Sequence, residues 1–377
     1  MMPIKDFYNP LPKKLQIDVT SSCNSRCPQC PRTFEATLKE HPGIIQEDFS
    51  IEDIDNVLSD PYMKDISRVF MNGNYGDFVM YKNPKELIEH VLSYNNINHI
   101  KINTNGGALP SKFWKWLGTK SKVTVEFSID GLEDTHSLYR RNTRFDVVLD
   151  NATTFINAGG RAIWSMVVFK HNEHQIDDCR KLAKTRNFFQ FIMRPSPRWV
   201  NKKDKIVYDN NYNPLYKLEP ASFVDKDFSK YEESDKHPTN YFEKRYSFLS
   251  NTTEPNLENP DLTESSVKID CSAKKTSTIY IGADGRLWPC CWMEVDTNAG
   301  IYTSVPRTFN WHFYKKLKKT KDFNNVKVHS ISKIISEFKL LSEIQHMIDN
   351  NSCDTCRKYC LTTDNVNTNF QPIKEKI

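Results

Sequence analysis

The chain has 377 residues, 38% hydrophobic and 26% charged, with a formal net charge of +5; such a mixture can bury a core, suggests about two domains and excludes disorder throughout. No apolar run approaches the ~18 residues of a spanning helix. The first residues lack the apolar core of a secretory signal, so a cytoplasmic protein without a membrane partner is expected, and the charge is too mild to argue for nucleic acid.

From Leu15 to about Arg194 strand-like and helix-like segments alternate. The predicted strands are Leu15–Thr20, Arg68–Met71, His99–Asn103, Lys122–Ile129, Arg161–Phe169 and Phe188–Met193. They are short and rich in β-branched and aromatic residues, and several read as near-continuous apolar runs, as buried parallel strands do. The predicted helices are Pro84–Tyr94 after the cap Asn83, Phe145–Ala158 ending at Gly159-Gly160, and Glu173–Thr185 after the cap Asn172. Six such β-then-α units argue for a parallel α/β fold with all strand carboxyl ends on one side. From about Trp199 to Ser266 the chain turns rich in Asn, Asp, Lys, Pro and Tyr, which reads as a linker or insertion with some local structure that could contribute aromatic lining to a site. Beyond it, residues 276–292 predict a hairpin turning at Ala283-Asp284-Gly285. Ile331–Ile348 predicts one amphipathic helix with Ile331, Ile334, Ile335, Phe338, Leu341 and Ile348 on one face.

Ten cysteines are unevenly placed. Cys23, Cys27 and Cys30 follow the first predicted strand with the spacing C-x3-C-x2-C. Three thiolates on one loop can bind three irons of a cubane cluster and leave the fourth open, whereas a structural zinc closes with four ligands. A zinc knuckle with a distant fourth ligand, or plain buried thiols, remain the alternatives for this spacing. Gly73-Asn-Tyr-Gly76-Asp77, Thr104-Asn105-Gly106-Gly107 and Ser128-Ile129-Asp130-Gly131 also fall at predicted strand ends, where parallel folds place their ligands. Each alone reads as an ordinary turn. His171 and His174 read as a helix start, with a catalytic base or metal ligand as the alternative, and Cys179, on a face with Ile176, Leu182 and Ala183, fits a small buried hydrophobe.

Taken together, residues 15–194 resemble the radical S-adenosylmethionine (radical SAM) superfamily. The resemblance implies a partial (β/α)6 TIM-like barrel core and a [4Fe–4S] cluster on Cys23, Cys27 and Cys30. S-adenosylmethionine would chelate the open iron and be cleaved to a 5′-deoxyadenosyl radical that abstracts a substrate hydrogen. Gly73, Gly76 and Asp77 match the loop that meets its amino group. Ser128 matches a position near the ribose or carboxylate, Arg140 or Arg141 suits the carboxylate, and Asn105 and Asp130 complete the implied cofactor-binding set. Gln29 stands where many members carry an aromatic residue near the adenine.

Cys271, Gly285 and Cys290, spaced C-x13-G-x4-C, with Cys353-x2-Cys356-x3-Cys360, resemble the twitch/SPASM extension behind many such cores. That likeness implies a small C-terminal α+β iron–sulfur domain with one auxiliary [4Fe–4S] cluster on Cys271, Cys290, Cys353 and Cys356. Cys360 is the alternate ligand, and Cys291 points away from its neighbour in an extended strand. A zinc ribbon is the other reading. The implied organisation is a radical SAM core at 1–198, a linker at 199–266 and the auxiliary domain at 267–377. The implied partners are a peptide or small-molecule substrate and an electron donor such as flavodoxin or ferredoxin. Two other functions fit parts of the chain: RNA or nucleotide modification, using Arg140, Arg141, Arg144 and the lysine run at 315–321, and a non-catalytic iron–sulfur or zinc protein.

Overall fold

The computed structural model describes residues 7–8, 10–42, 44, 46–196, 205–222, 268–302, 313, 316–317, 319–350, 352–353, 355–356, 360–362 and 373–376. Most of the expected linker, and Lys315 and Lys318 of the lysine run, lie outside the described residues.

The strands β1 (Lys14–Ile17), β2 (Arg68–Met71), β3 (His99–Thr104), β4 (Val123–Ser128), β5 (Arg161–Val168) and β6 (Gln190–Pro195) pair in chain order, each parallel to the next. Right-handed crossovers between consecutive parallel strands put every connecting helix on one face. Those helices are α1 (Ile51–Leu58), α2 (Pro84–Ser93), α3 (Ser111–Gly118), α4 (His136–Tyr139), α5 (Phe145–Asn157) and α6 (Ile176–Thr185). Their apolar stripes bury Ile17, Met71, Ile102, Val125 and Trp164 in one core with Val57, Leu87, Leu117 and Phe155. Five β/α units and a sixth strand in an open sheet match the expected partial barrel fold. Among the described residues no helix is long and apolar enough to cross a membrane.

The apolar look of the strands suggested burial on both faces, and residues 123–127 of β4 and 162–166 of β5 are buried without a break; other strands are not. Burial alternates along β3, with Lys101 and Asn103 half-buried between Ile100, Ile102 and Thr104. Helices cover one face alone, and the other keeps polar side chains, among them Lys101, Glu126, Ser165 and Arg194.

The C-terminal chain seals both edges of the six-stranded core. Strand β10 (Thr278–Ile281) pairs parallel with β1, and β11 (Leu287–Trp288) returns antiparallel to it. The expected hairpin is therefore present, with Gly285 at φ +82°, but it extends the core sheet. The short strands β9 (Lys268–Ile269) and β12 (Leu361–Thr362) pair antiparallel with each other, and β13 (Ile373–Lys376) adds antiparallel to β6.

Three local expectations are corrected. β6 begins at Gln190, not Phe188, because Asn187 turns left-handed (φ +58°) and the Phe188 N–H donates back to Ala183 O, closing α6. The expected helix over 331–348 is two, Ile331–Ser336 and Leu340–Asp349, broken at Lys339 (φ +53°). Lys316 Nζ satisfies the carbonyl freed there, donating to Phe338 O at 2.9 Å and to Glu343 at 2.6 Å. Neither Asn83 nor Asn172 caps a helix with its side chain. By contrast α5 stops where Gly159 adopts φ +97°, as the Gly159-Gly160 pair foretold.

Candidate functional site

Because β1 to β5 run parallel, the loops that leave them meet at one edge of the sheet. The loop after β1 carries Cys23, Cys27 and Cys30. It is held from several sides. Arg26 N–H and Ser25 Oγ donate to Arg141 O at 2.9 and 3.1 Å, and Glu40 binds Arg26 and Arg32 at 3.0 and 2.6 Å. Gly76 lies so close beneath that a Cβ there would stand 1.8 Å from Thr20 O, so only glycine lets the loop after β2 touch the loop after β1.

Polar donors converge on the sulfurs. Ser25 N–H lies 3.4 Å from Cys23 Sγ, and Ser25 Oγ lies 3.1 Å from Cys27 Sγ. Asn105 Nδ2 and Arg140 Nη1 each reach 3.8 Å, to Cys23 and Cys27 respectively. Burial pushes the Cys23 and Cys27 thiols up, and at Cys27 the Arg140 guanidinium opposes it. Binding a metal group here therefore releases protons, and the surrounding donors stabilise the resulting thiolates.

The other expected cofactor residues fall into two kinds. Gly73, Asn105 and Ser128 stand at the strand ends themselves. Asp77 is buried and saturated: it accepts from Thr104 Oγ1 at 2.6 Å, Asn105 N–H at 2.7 Å and Val79 N–H at 3.1 Å, tying the β2 loop to the β3 loop. Asp130 is fully buried, accepting from Arg140 Nε and from Val167 N–H, both at 2.5 Å. It therefore aims Arg140 at Cys27. Arg141, the alternative to Arg140, turns away and donates to Ala36 O and Tyr208 O at 3.0 and 3.1 Å. Asn172 also serves this corner, its Oδ1 accepting from Phe169 N–H at 2.8 Å and its Nδ2 donating to Asp130 O at 3.2 Å. Gln29 is buried and accepts from Ser196 Oγ at 2.5 Å.

One neighbour of this site comes from the segment read as a linker or insertion that lines a site with aromatics, but sequence reasoning did not see its strands. The antiparallel pair β7 (Lys205–Tyr208) and β8 (Pro214–Leu218) packs Val207 and Leu218 with Cys27, Tyr139 and Phe169. Tyr216 OH donates to Leu138 O at 2.5 Å. Its only advance signal was the turn-rich stretch 208–214.

His136 is buried beside the same corner. Asp130 N–H donates to its Nδ1 at 3.2 Å, and Thr143 Oγ1 lies 3.1 Å from Nε2. Thr143 donates its own proton to Arg140 O at 2.7 Å, so Nε2 carries the ring proton. Burial, aided by Arg140 against Asp130, holds this imidazole down at about 4. The unfolded chain takes up the proton near 6.5, so stability is lost as pH falls from 6.5 toward about 4, by up to roughly 3 kcal/mol. His136→Gln is expected to flatten the plot of Tm against pH in that window; an unchanged slope would refute the account.

A second thiol group lies near the β10–β11 edge. Cys271, Cys290 and the group of Cys353, Cys356 and Cys360 come from three stretches of chain. Burial pushes Cys271, Cys290 and Cys360 up, and neighbouring thiols add to it. Cys353 Sγ lies 2.8 Å from Cys356 Sγ, and that hydrogen bond is the main reason Cys356 is pushed up. Cys360 O accepts from Asp270 N–H at 2.7 Å. Cys291 instead opens the helix Cys291–Tyr302 and offers its carbonyl to Asn74 Nδ2 at 3.1 Å. Cys179 is fully buried in the main core, as expected.

Among the described residues no three Cys, His, Asp or Glu side chains stand at the spacing that holds a single metal ion. The N-terminal donor set fits the expected [4Fe–4S] cluster by its chemistry: three thiols on one pinned loop, with N–H and O–H groups directed at the sulfur atoms.

Residues 17–183 match the family described as Radical SAM superfamily. A GTP 3′,8-cyclase of Alkaliphilus oremlandii (strain OhILAs) is 26% identical over 183 residues, 48% of this chain and 55% of that protein. The same enzyme of Alkaliphilus metalliredigens (strain QYMF) is 25% identical over 183 residues. The match spans about half the length of these curated relatives. Among solved structures, Streptococcus suis SuiB bound to S-adenosylmethionine aligns with a TM-score of 0.52 at 16% identity, over 93% of this chain and 72% of that one. A structure of anSMEcpe with bound AdoMet aligns with a TM-score of 0.51 at 16% identity, over 93% and 84%. What this chain shares with these two structures is the fold.

Proposed function

We propose that this chain, whose residues 17–183 belong to the radical SAM superfamily, is an enzyme that modifies a peptide or protein by hydrogen abstraction. Cys23, Cys27 and Cys30 would hold a [4Fe–4S] cluster, with S-adenosylmethionine beside it. When bound, that pair supplies reductive cleavage of the sulfonium to a 5′-deoxyadenosyl radical, the oxidant of substrate C–H bonds. The chain's own residues bind and orient. Gly73 and Gly76 let the loop after β2 fold on itself and against Thr20, which would set its backbone beside the cofactor; Asn105 and Ser25 direct donors at the sulfurs, and Ser128 would face the cofactor from the end of β4. Arg140 offers a guanidinium for the cofactor carboxylate, held in place by Asp130. The observation that carries this reading is the three-thiol loop at the strand ends of an open, chain-ordered parallel sheet, ringed by donors to sulfur.

The C-terminal thiols support a twitch/SPASM-like auxiliary [4Fe–4S] cluster on Cys271, Cys290, Cys353 and Cys356, with Cys360 as alternate. An electron donor such as flavodoxin or ferredoxin would reduce the first cluster. A nucleotide is the second substrate reading, favoured by the curated relatives, which are GTP 3′,8-cyclases.

The test is anaerobic reconstitution with iron and sulfide, then dithionite and S-adenosylmethionine, with 5′-deoxyadenosine assayed. A colourless protein carrying only zinc would sink the proposal. In Cys353→Ala, iron is expected to fall from about eight to about four atoms per chain. Unchanged iron would make the C-terminal thiols structural.

A further inference from the structure

The sheet face turned away from the helices carries a belt of cations at its amino-terminal side. Lys14, Arg68 and His99 occupy one register row across β1, β2 and β3. Lys101, Thr124 and Arg161 occupy the next, across β3, β4 and β5. Their side chains share one face because residues two apart along a strand point the same way. Arg194 of β6 joins from above, reaching Glu126 at 3.5 Å and Ser165 Oγ at 3.4 Å.

The charges do not balance. Glu126, 4% exposed, is the carboxylate among them, and it is already engaged by Lys101 at 2.6 Å and by Arg194. Among the described residues Lys14, Arg68 and Arg161 form no ion pair, although Arg161 lies over the Phe189 ring at 4.8 Å. Like charges directly opposite on neighbouring strands destabilise a sheet. The repulsion is visible at two members: burial first, then Arg68 and Lys101, pull Lys14 down, and burial with Arg68, Arg161 and Lys101 pulls His99 down. Asp18 and Glu294 lie elsewhere, beside Asn74 and Tyr280, and burial pushes both toward the neutral acid. They offer the belt no counter-charge.

We infer that this belt docks the substrate away from the reacting centre, since it lies about 13–16 Å down the strands from the carboxyl-end loops, and that the docked part is an acidic peptide segment whose carboxylates meet Arg68, Lys101 and Arg161. The size of the belt favours a chain over a single anion. Five strands at about 4.8 Å spacing span about 19 Å, the length of about six extended residues. Arg68 and Arg161 are exposed and Lys101 is half-buried, so an incoming chain can reach them. Glu126 holds Lys101 and Arg194 on the face and, being negative, sets an upper limit on how strongly the belt attracts anions.

The inference rests on the function proposed above, but its test needs no turnover, so either can fail alone. Binding of a labelled hexaglutamate peptide to the reconstituted full chain is measured by fluorescence anisotropy at low salt, beside hexaglutamine, GTP and inorganic phosphate. Hexaglutamate is expected to bind, hexaglutamine at least about tenfold more weakly, with the difference shrinking as salt rises. Arg68→Gln and Lys101→Gln should each weaken binding about tenfold, and Glu126→Gln should tighten it about threefold, since it removes the opposing charge. A merely structural role would make all three variants bind more weakly or alike. If Lys101→Gln fails to fold, the exposed Arg68→Gln carries the comparison. Equal binding of the two peptides, no loss in Arg68→Gln, weaker binding in Glu126→Gln, or tighter binding of GTP or phosphate than of the acidic peptide would each overturn the inference.

Discussion

Replacing Cys27 by alanine is expected to cut 5′-deoxyadenosine formation by about two orders of magnitude or more while the chain still folds. Cys27 is 8% exposed and packs with Tyr139, Phe169, Val207 and Leu218. Losing one sulfur from that small cluster leaves a cavity worth about 1 kcal/mol. The chemical loss is larger, since the loop would present two thiolates instead of three and the Ser25 and Arg140 donors would face no sulfur charge. The control is Cys179→Ala. Cys179 is fully buried in the main core, and burial holds its thiol up at about 12. That variant should lose comparable stability yet keep its iron and its cleavage rate. Thermal melting, iron analysis and the nucleoside assay separate the two. If Cys27→Ala cleaves S-adenosylmethionine as Cys179→Ala does, the three-thiol assignment is wrong.

What could be read in the sequence was local. β2 lies where predicted, and the strand-end turns converge because parallel strands share a direction. The placement of Cys23, Cys27, Cys30, Gly73, Gly76 and Asn105 on loops at one edge of the sheet was legible because short spacing and turn chemistry reveal where strands end. Partnerships between distant side chains were not. Nothing in Ser-Ile-Asp-Gly announces that Asp130 faces Arg140 rather than a ligand, and nothing in Tyr-Arg-Arg separates Arg140 from Arg141, which differ only in which way the short α4 turns them. The break at Lys339 depends on Lys316, more than twenty residues earlier, and periodicity alone favours one helix. The cation belt had a signal that went unused. In His99-Ile-Lys-Ile-Asn and Thr124-Val-Glu-Phe-Ser every second residue is polar, the pattern of a strand with one solvated face.

Asp130→Asn is expected to destabilise the protein by about 3–5 kcal/mol and to loosen the cofactor corner as well. The substitution keeps the shape and leaves Oδ1 able to accept from Val167 N–H, so that bond survives. What disappears is the charge facing Arg140, with Asp130 fully buried and the Arg140 side chain 17% exposed. Burial works against a charged guanidinium, and here Asp130 first, then Cys27, outweigh it. With Asp130 neutral, Arg140 must stay buried without its counter-ion or swing out. Either way Cys27 loses a donor at 3.8 Å. The double variant Asp130→Asn with Arg140→Gln removes both charges. It should recover most of the lost stability, because two neutral partners cost less than one stranded charge. Cleavage should not recover with it, since no guanidinium then stands beside Cys27. Melting curves and nucleoside yield for the wild type and the three variants test both halves. A double variant no more stable than Asp130→Asn would mean that Asp130 acts through its hydrogen bonds to backbone, and not by holding Arg140.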